Sequence, residues 1–397
     1  MSASFNLFAN FGGFGGYQIL TERILTAWSR YYADHKLNIA DTVNVFPVQT
    51  AFSNNPSTEH LINKSRELEN GLYPVSVGIV TPHDVFKFAG KKRALYPTHE
   101  GSILVPHLVN QFNELDQLWV SSKYSYNVFK ESGVNPEIMK YLPCFIDLEE
   151  FKPLQDSKIK ERAMLEKEPS PEDPFTFLVI GKFENRKASF QIVEAFLKYF
   201  EERDDVKNVR LLCKWSTSVK TRTLDHIKQD LQGVLAAHPN AAARVQLVDD
   251  MEVDVIELYN KSECLLMPSR SEGYGLPLFE ASGCGIPSVV TPYASFKDYI
   301  LDEDENVLED AFVVLPDRGT IPAHDDFFGI TPHVFGEWGE VLTEDIICGI
   351  DRIWSMSPQE RFEMGSLARD AMTEFNYSRA AASTIGWIKE MEGSYGS

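Results

Sequence analysis

The chain has 397 residues, 43% of them hydrophobic, and this length and composition predict two domains with a core each. Its formal net charge of −20 disfavours nucleic acid, without excluding it, and equally disfavours an anionic membrane surface as the main partner. The absence of an apolar run of about 18 residues predicts no membrane span, and five cysteines without metal-type spacing favour a reducing, cytoplasmic location.

The first feature with a chemical meaning is a glycine-rich loop, Asn10–Gly16, between a short apolar strand at Phe5–Phe8 and a helix that begins near Tyr17. Such a loop can bring backbone amides against a phosphate at the start of the helix. It is not the dinucleotide-binding fingerprint, because the third glycine of that pattern would fall at Gln18. From these residues alone, a phosphate-binding loop and a plain tight turn are equally favoured.

A histidine follows the next clearly apolar strand of the first half. The strand is predicted at residues 73–81, which places His83 at its carboxyl end, where parallel sheets bind their ligands. Asp84 is positioned to orient the imidazole. A hydrogen-bonded structural histidine is an equally favoured interpretation, and His99 and His107 are alternatives for an imidazole in the site.

The boundary between the two predicted domains falls in a charged, proline-bearing segment at residues 155–174, which is typical of a linker. The first domain comprises residues 1–154 and the second residues 175–377. The second domain opens with a buried strand, Phe175–Ile180, and a basic turn follows it directly. This turn either binds an anion or is an ordinary solvated turn.

The stretch from residue 262 to residue 292 organises the second domain. An apolar run at Cys264–Met267 predicts a strand buried on both faces. A glycine-rich turn follows, then a helix that starts at Pro277 and stops near Gly283 or Gly285, then a strand at Ile286–Val290. The turn leaves backbone amides free at the helix start, and these favour an anion.

Two carboxylates flank this turn. Glu272 lies in the loop beyond the strand, and Glu280 lies about one turn inside the helix, with seven residues between them. Both can face one polar ligand that has an anionic centre and hydroxyl groups on either side. A nucleotide sugar has this shape, because a diphosphate joins a hydroxylated sugar to a hydroxylated ribose.

A loop-rich acidic region at residues 301–345 follows this unit. It contains a patch rich in Pro, His, Phe and Trp, from Ile321 to Trp338, which is longer than a simple connection requires. A lid, an interface and an acceptor contact are three open interpretations of the patch.

The run SRSEGYGLPLFEASGCGIPSV, which contains both glutamates, resembles the E-x7-E motif of a large family of retaining glycosyltransferases. This family includes sucrose, trehalose and mannosyl transferases and is of the glycosyltransferase family 4 type. The resemblance implies an α/β fold of two Rossmann-like parallel-sheet domains that face each other across a cleft, known as the glycosyltransferase B-type fold. It also implies that a terminal helix, at residues 378–397, crosses back onto the first domain.

The resemblance implies roles for the residues of the second domain. Glu272 would contact the donor sugar and Glu280 the ribose. The family has Gly-Arg-x4-Lys-Gly after the first strand, where two bases hold the donor diphosphate. Here Lys182 stands at the arginine position and Lys187 at the lysine position, and Arg186 would supply the missing planar fork. The remaining donor-binding residues implied by the match lie in the turn before the helix: Tyr274, Gly275 and Leu276.

The resemblance also implies roles for the first domain as the acceptor side. A glycine loop at this place approaches the donor diphosphate and the acceptor in the family, which makes Gly15 and Gly16 candidate site residues. A histidine at a strand end lies beside the donor sugar, which favours His83. The segment that starts at Tyr96 resembles one branch of the family, in which Glu100 would lie near the acceptor.

The function implied is metal-independent, retaining transfer of a sugar from a nucleotide-diphosphate sugar to an acceptor hydroxyl on a glycan, a lipid-linked or another molecule. The donor is a substrate, and no cofactor is expected. Glu272, His83, Lys187 and Glu100 are the predicted catalytic residues, with no metal ligand among them. Three alternatives remain open: a sugar-nucleotide epimerase or hydrolase, a transferase that acts on a modified nucleic-acid base, and a non-catalytic sugar-nucleotide-binding protein. The oligomeric state is also open.

Overall fold

The computed structural model describes residues 3–11, 15–48, 55–66, 72–203, 208–216, 223–248, 253–302, 304–326 and 328–394. The chain divides into two compact units. Unit 1 comprises Met1–Phe145 with Phe375–Ser397, and unit 2 comprises Ile146–Glu374.

The strands form two parallel sheets of six strands and one short antiparallel hairpin. In chain order they are β1 Phe5–Ala9, β2 Val43–Pro47, β3 Val75–Ile79, β4 Lys92–Leu95, β5 Gln117–Val120, β6 Met139–Tyr141, β7 Phe175–Lys182, β8 Val209–Ser216, β9 Val245–Leu247, β10 Cys264–Met267, β11 Ser288–Val290, β12 Val313–Val314, β13 Thr320–Pro322 and β14 Glu337–Gly339. The sheet of unit 1 has the order β2-β1-β3-β4-β5-β6, and that of unit 2 has the order β12-β11-β10-β7-β8-β9. Parallel neighbours require crossover connections, which the helices provide.

The helices lie along these crossovers and at the end of the chain. They are α1 Gly16–Asp34, α2 Pro56–Arg66, α3 Pro106–Asn113, α4 Lys123–Ser132, α5 Lys158–Leu165, α6 Ser189–Glu201, α7 Leu224–Ala237, α8 Pro239–Ala242, α9 Val255–Asn260, α10 Leu276–Gly283, α11 Lys297–Ile300, α12 Pro332–Phe335, α13 Thr343–Ser355, α14 Pro358–Ala371 and α15 Tyr377–Gly393. Within the described ranges, no helix combines the length and the apolar character that a membrane crossing requires.

The C-terminal helix α15 belongs to unit 1, as the B-type fold predicts. The indole nitrogen of Trp28 on α1 donates a hydrogen bond of 2.8 Å to the Thr384 hydroxyl. The Trp119 ring of β5 lies 5.6 Å from the Trp387 ring, measured between centroids. Both contacts are in the interior of unit 1, so the last helix covers the sheet that the first residues of the chain begin.

Aromatic side chains fill the core of unit 2 on one face of its sheet. Phe177 of β7 packs against Phe196 and Phe200 of α6, with ring centroids 6.2 and 6.3 Å apart. Trp354 of α13 closes the group at 5.4 Å from Phe200. Rings of this size dominate the apolar area removed from water, and they fix the position of β7 and therefore of the turn that follows it.

The segment at residues 155–174 is structured, which differs from the predicted linker. It contains α5, and Arg162 of this helix is buried together with Glu263, with 2.5 Å between Nε and Oε1. The division between the units falls instead after Phe145 and after Glu374. The sequence appeared typical of a linker because its charges are dense, and their burial depends on a partner 101 residues away.

Helix α14 touches the end of α10 backbone to backbone. A Cβ on Gly365 would lie 1.9 Å from the carbonyl oxygen of Gly285, so only glycine allows this approach. Arg369, one turn further along α14, donates hydrogen bonds to the carbonyl oxygens of Gly283 and Phe151. The C-terminal end of α10 is thereby fixed by a helix from the late part of the chain.

Candidate functional site

The turn between β10 and α10 has the predicted form of strand, glycine turn and helix. Gly275 precedes the helix with φ at +74°, in the left-handed region, and a Cβ there would lie 2.6 Å from the Phe296 ring. Glycine is therefore required at this position. Helix α10 begins at Leu276, one residue before the predicted Pro277, and ends at Gly283 as expected. Strand β11 begins at Ser288, two residues later than predicted.

Glu272 lies at the centre of a network of charges below this turn. Its side chain is buried, and its Oε1 atom accepts hydrogen bonds from Lys187 Nζ at 2.5 Å and from Ser269 Oγ at 2.8 Å. Its Oε2 atom lies 3.0 Å from Arg186 Nη1. Both oxygens of the carboxylate are thus held by groups from two loops at the carboxyl edge of the unit 2 sheet.

The electrostatics of this network keep Glu272 ionised. Burial by itself raises the pKa of its carboxyl group, but the charges of Arg186 and Lys187 outweigh burial and lower the pKa to about 2. Hydrogen bonds from Lys187 and Ser269 act in the same direction. An ionised carboxylate is a strong acceptor for sugar hydroxyl groups.

The guanidinium of Arg186 donates hydrogen bonds to acceptors within the protein. The group is buried and donates to Glu184 Oε1 at 2.5 Å and to the Ser271 carbonyl oxygen at 2.6 Å, in addition to its contact with Glu272. These contacts are all to protein acceptors, and the predicted role of Arg186 as a fork for the diphosphate stays a prediction. The sequence places Arg186 next to Lys187, but it does not show that the two side chains share the same carboxylate. Glu184, Arg186, Lys187 and Glu272 are called the acid–base cluster below.

The two lysines of the β7–α6 turn have different partners. Lys187 passes close to Gly181, where φ is +144° and a Cβ would lie 2.9 Å from Lys187 Cε. Lys182 is half-buried, and its ammonium lies 5.7 Å from the centroid of the Phe328 ring, which is a cation–π distance. A carboxylate therefore holds Lys187 and an aromatic ring faces Lys182.

The second glutamate, Glu280, is buried on α10 and accepts a hydrogen bond from the Tyr259 hydroxyl at 2.7 Å. Tyr259 belongs to α9, and nothing in the sequence pattern indicated this pair. Tyr274, another predicted site residue, is buried in the turn that Gly275 ends. The hydrogen bond from Tyr259 fixes one oxygen of Glu280 and restricts the orientation of its carboxylate.

The patch at residues 321–338 forms a hairpin of β13 and β14 that contacts the lysine-bearing turn. Asp325 Oδ2 accepts a hydrogen bond from the Asn185 amide at 2.8 Å, and the Asn185 side chain donates to the His324 carbonyl oxygen at 2.7 Å. An open pocket of about 360 Å³ lies between the hairpin and the turn, with the exposed ring of Phe190 among its lining residues. The hairpin thus supports the turn that carries Lys182 and Lys187.

In unit 1, Gly15 and Gly16 lie at the start of α1. Gly15 is in an extended conformation, where a Cβ would lie 2.4 Å from Gln18 Oε1, whereas a Cβ on Gly16 would meet no atom within 4 Å. The preceding part of the predicted glycine loop, residues 12–14, lies outside the described residues.

Three histidines lie near one another at the carboxyl edge of the unit 1 sheet. His83 and His107 are exposed, with ring centroids 6.0 Å apart. His99 is buried, with Nε2 at 2.7 Å from the Ile103 carbonyl oxygen. Burial lowers the pKa of His99 to about 4, partly offset by that hydrogen bond, and the charge of His83 lowers it further. His99 is therefore neutral at pH 7, and the choice among His83, His99 and His107 stays a prediction.

Asp84 contacts two neighbours in the turn after β3, and its predicted role of orienting His83 stays a prediction. Its Oδ2 atom accepts a hydrogen bond from Thr81 Oγ1 at 2.8 Å, and its Oδ1 atom lies 2.6 Å from Lys87 Nζ. Both oxygens therefore stabilise the short turn that carries the histidine.

Glu100 lies beside a tyrosine that the sequence analysis did not select. The Tyr17 hydroxyl accepts hydrogen bonds from the Thr98 amide at 2.8 Å and the Thr98 hydroxyl at 3.0 Å. Burial raises the pKa of Tyr17, and the charges of Glu100 and Asp84 raise it further, which indicates that both carboxylates lie near the ring. This tyrosine joins the start of α1 to the loop that carries Glu100. The name unit 1 edge is used below for Tyr17, His83, His99, Glu100 and His107.

The structure brings three of the predicted residues into contact in unit 2 and places three others after adjacent strands in unit 1. In unit 2, Glu272, Arg186 and Lys187 are in direct contact. In unit 1, Gly15, His83 and Glu100 follow β1, β3 and β4, which are adjacent in the sheet. The carboxyl ends of parallel strands are where such sheets bind ligands.

Comparison with known proteins agrees with this geometry. Residues 160–314 match a family model described as "Glycosyl transferases group 1". The match includes the stretch around Glu272 and Glu280, which agrees with the resemblance seen there in the sequence. The match includes the β7–α6 turn and all of α10.

Curated relatives are more distant. D-inositol 3-phosphate glycosyltransferase of Paenarthrobacter aurescens is 24% identical over 260 residues, which are 65% of this chain and 53% of the relative. Serotype-specific mannosyltransferase WbdA of Escherichia coli is 27% identical over 126 residues, which are 31% of this chain and 14% of that protein. The chain thus spans about half the length of the first relative and a small part of the second.

Solved structures show the same fold over almost the whole chain. Sucrose-phosphate synthase from Thermosynechococcus elongatus has a TM-score of 0.67 at 15% identity, covering 99% of this chain and 100% of its own. HepE from Anabaena, solved in complex with UDP-glucose, has a TM-score of 0.66 at 15% identity, covering 98% and 99%. The predicted α/β fold of two Rossmann-like parallel sheets, the glycosyltransferase B-type fold, is confirmed.

Proposed function

We propose that this protein is a retaining glycosyltransferase that moves a sugar from a nucleotide-diphosphate sugar to an acceptor hydroxyl, without a bound metal. The single observation that supports this most is the buried Glu272 carboxylate held against Lys187 in the loop that leads to the start of α10. Carboxylate, ammonium and helix N-terminus are the three groups that a sugar linked to a diphosphate requires.

The reaction breaks the bond between the anomeric carbon and a phosphate oxygen, and the electron pair goes to that oxygen. Negative charge therefore develops on the departing diphosphate. Lys182, Lys187 and the backbone amides at Leu276 supply fixed positive charge and hydrogen-bond donors for it. Such preorganised donors lower the barrier because they need no reorientation during the reaction.

Retention of configuration follows if the acceptor attacks on the face that the diphosphate leaves. The acceptor oxygen forms the new bond to the anomeric carbon, and its proton goes to the departing phosphate oxygen. Glu272 then holds donor sugar hydroxyl groups and forms no covalent bond. Glu280 binds the ribose. The exposed His83, together with Glu100 of the same unit 1 edge, binds the acceptor.

The proposed location is a reducing compartment such as the cytoplasm. All five cysteines are free thiols, and four of them are buried in the two units. The acceptor is a glycan, a lipid-linked molecule or another hydroxyl compound.

The test begins with a thermal-shift screen against uridine, guanosine and adenosine diphosphates and their sugars, because a ligand of the native state raises the melting temperature. We expect one nucleotide series to shift the melting temperature and to release nucleoside diphosphate only when acceptor is added. The product should keep the anomeric configuration of the donor by proton NMR, and a chelator should leave turnover unchanged.

Three other outcomes would replace the proposal with its alternatives. A new sugar nucleotide formed without acceptor would indicate an epimerase, and free sugar a hydrolase. Labelled sugar in DNA would indicate a transferase for a nucleic-acid base. Binding without any nucleotide release, across a broad acceptor panel, would indicate a non-catalytic binding protein.

A further inference from the structure

We propose that Arg186, anchored by Glu184, is a positioning residue that holds the Glu272 carboxylate ionised and oriented while Lys187 serves the donor diphosphate. This inference rests on the proposed function. It goes beyond it by assigning Arg186 to a carboxylate of the protein instead of to the donor.

The geometry separates the two cations of the acid–base cluster. Lys187 contacts one oxygen of Glu272, and 14% of its side-chain surface is exposed. Arg186 contacts the other oxygen and is 4% exposed. A diphosphate that approaches from solvent can therefore reach Lys187, whereas the guanidinium of Arg186 is enclosed by protein acceptors.

Charge balance explains why a second cation is needed. The cluster has two carboxylates, Glu184 and Glu272, and two cations, Arg186 and Lys187. A diphosphate draws the Lys187 ammonium towards itself, and Glu272 then depends on Arg186 for compensation of its buried charge. An uncompensated buried carboxylate is strongly unfavourable and would take up a proton. A protonated Glu272 would lose its strength as an acceptor for sugar hydroxyl groups.

Glu184 and the Ser271 carbonyl oxygen fix the guanidinium itself. Glu184 Oε1 lies 2.5 Å from one terminal nitrogen of Arg186, and the Ser271 oxygen lies 2.6 Å from the other. Because the guanidinium is planar and rigid, these two contacts set the direction in which it meets Glu272. Glu184 is itself buried, so its negative charge is in turn compensated by Arg186.

The test compares Arg186→Met, Arg186→Lys and Glu184→Gln with the wild type, using the nucleotide sugar identified in the thermal-shift screen. The readouts are kcat against pH, the dissociation constant of the donor by calorimetry, and the melting temperature. Among the described residues, the charges that act on Glu272 are those of Arg186 and Lys187. Loss of Arg186 should therefore raise the pKa of Glu272 and move the acid limb of the profile upward by roughly 1–3 pH units.

The expected result is a fall in kcat of about 10- to 100-fold for Arg186→Met at neutral pH, because the still ionised Glu272 carboxylate loses its orientation, with donor affinity changed less than about threefold. Arg186→Lys should recover part of the loss, because it keeps the charge without the fork. Glu184→Gln removes a negative charge beside Arg186, so it should lower kcat by loosening the guanidinium without moving the acid limb upward. If Arg186→Met does not fold, Arg186→Lys and Glu184→Gln still compare the fall in kcat with the change in donor affinity.

The matched control is Arg270→Met. Arg270 is also buried and lies beside the same turn, where its Nε donates to the Asn185 carbonyl oxygen at 3.1 Å. We expect this variant to have a lower melting temperature than the wild type. The acid limb of its kcat–pH profile should stay at the wild-type position.

Three results would overturn the proposal. Donor affinity weakened about tenfold or more with the acid limb unmoved would make Arg186 a diphosphate ligand. Loss of melting temperature alone, in the pattern of Arg270→Met, would make it purely structural. A double-mutant cycle of Arg186→Met and Glu272→Gln on unfolding free energy requires no activity. A coupling near zero there would reject the positioning role, whereas failure of the nucleotide screen rejects only the proposed function.

Discussion

The two candidate regions differ in how they use charge. The acid–base cluster of unit 2 is buried, and each carboxylate in it contacts a cation at 3.0 Å or less. The unit 1 edge has two exposed imidazoles, one buried neutral imidazole and a tyrosine that joins two loops through hydrogen bonds.

This difference matches two separate chemical requirements. A departing diphosphate needs strong, fixed positive charge, and burial of the cluster increases the strength of each electrostatic contact. An acceptor hydroxyl needs neutral hydrogen-bonding groups that remain accessible. The variants below test whether turnover depends on the charges of unit 2. They also test whether the pH dependence of stability depends on the buried neutral ring of unit 1.

The largest effect is expected for Lys187→Ala. It removes an ammonium that we assign to the leaving diphosphate, so turnover should fall on the order of 10²-fold to 10³-fold, as for loss of one preorganised donor. Lys198→Ala is the control, because Lys198 is an exposed lysine of α6 paired with Glu194. Steady-state release of nucleoside diphosphate measures both. A loss below about threefold for Lys187→Ala would contradict the assignment.

The second prediction concerns the pH dependence of stability in unit 1. The pKa of His99 is lowered to about 4 by burial, so the unfolded state binds more protons than the folded state below pH 6.5. His99 therefore contributes stability above its unfolded pKa, and this contribution, at most ~3 kcal/mol, is lost as the pH falls from 6.5 to 4. His99→Gln cannot titrate, so its unfolding free energy should fall less over this range than that of the wild type.

Urea unfolding followed between pH 4 and pH 7 measures this difference. His107→Gln is the control, since it removes an exposed imidazole of the same edge, and its curve should follow the wild type. Parallel curves for His99→Gln and the wild type would show that the buried ring is not the source of the pH dependence.

The smallest effect is expected for Glu280→Gln. The substitution keeps the shape and removes the charge of a residue assigned to the ribose, so the donor dissociation constant should rise about tenfold, which is the difference between a charged and a neutral hydrogen-bond acceptor. Turnover at saturation should change little. A donor whose ribose lacks its hydroxyl groups provides the control, because wild type and variant should bind it equally. A Glu280→Gln effect that persists with that donor would exclude the ribose contact.

The sequence pattern predicted those elements of unit 2 whose formation depends on residues close together in the chain. The β10 strand, the Gly275 turn and helix α10 lie within 20 residues, and apolar runs, glycine and proline determine them directly. The first strand of each sheet, at Phe5 and at Phe175, was recognisable for the same reason.

Contacts between distant residues were not visible in the sequence. Arg186 and Glu272 are 86 positions apart, and their pairing follows from the adjacency of β7 and β10 in the sheet. The Tyr259 partner of Glu280 and the Glu263 partner of Arg162 depend on packing in the same way. Among these contact residues, only Ser269 could have been selected from the sequence. It lies directly beyond a buried strand, where parallel sheets place ligand-binding groups.

The contact of Gly365 with the Gly285 carbonyl oxygen limits how this protein can be divided or recombined. The family match ends at residue 314, yet the helix that carries Glu280 is fixed from behind by α14, which starts at Pro358. A chimera that exchanges only the matched segment would bring a foreign surface against that glycine and lose the Arg369 hydrogen bonds. The smallest portion suitable for exchange therefore extends to Glu374, where unit 2 ends.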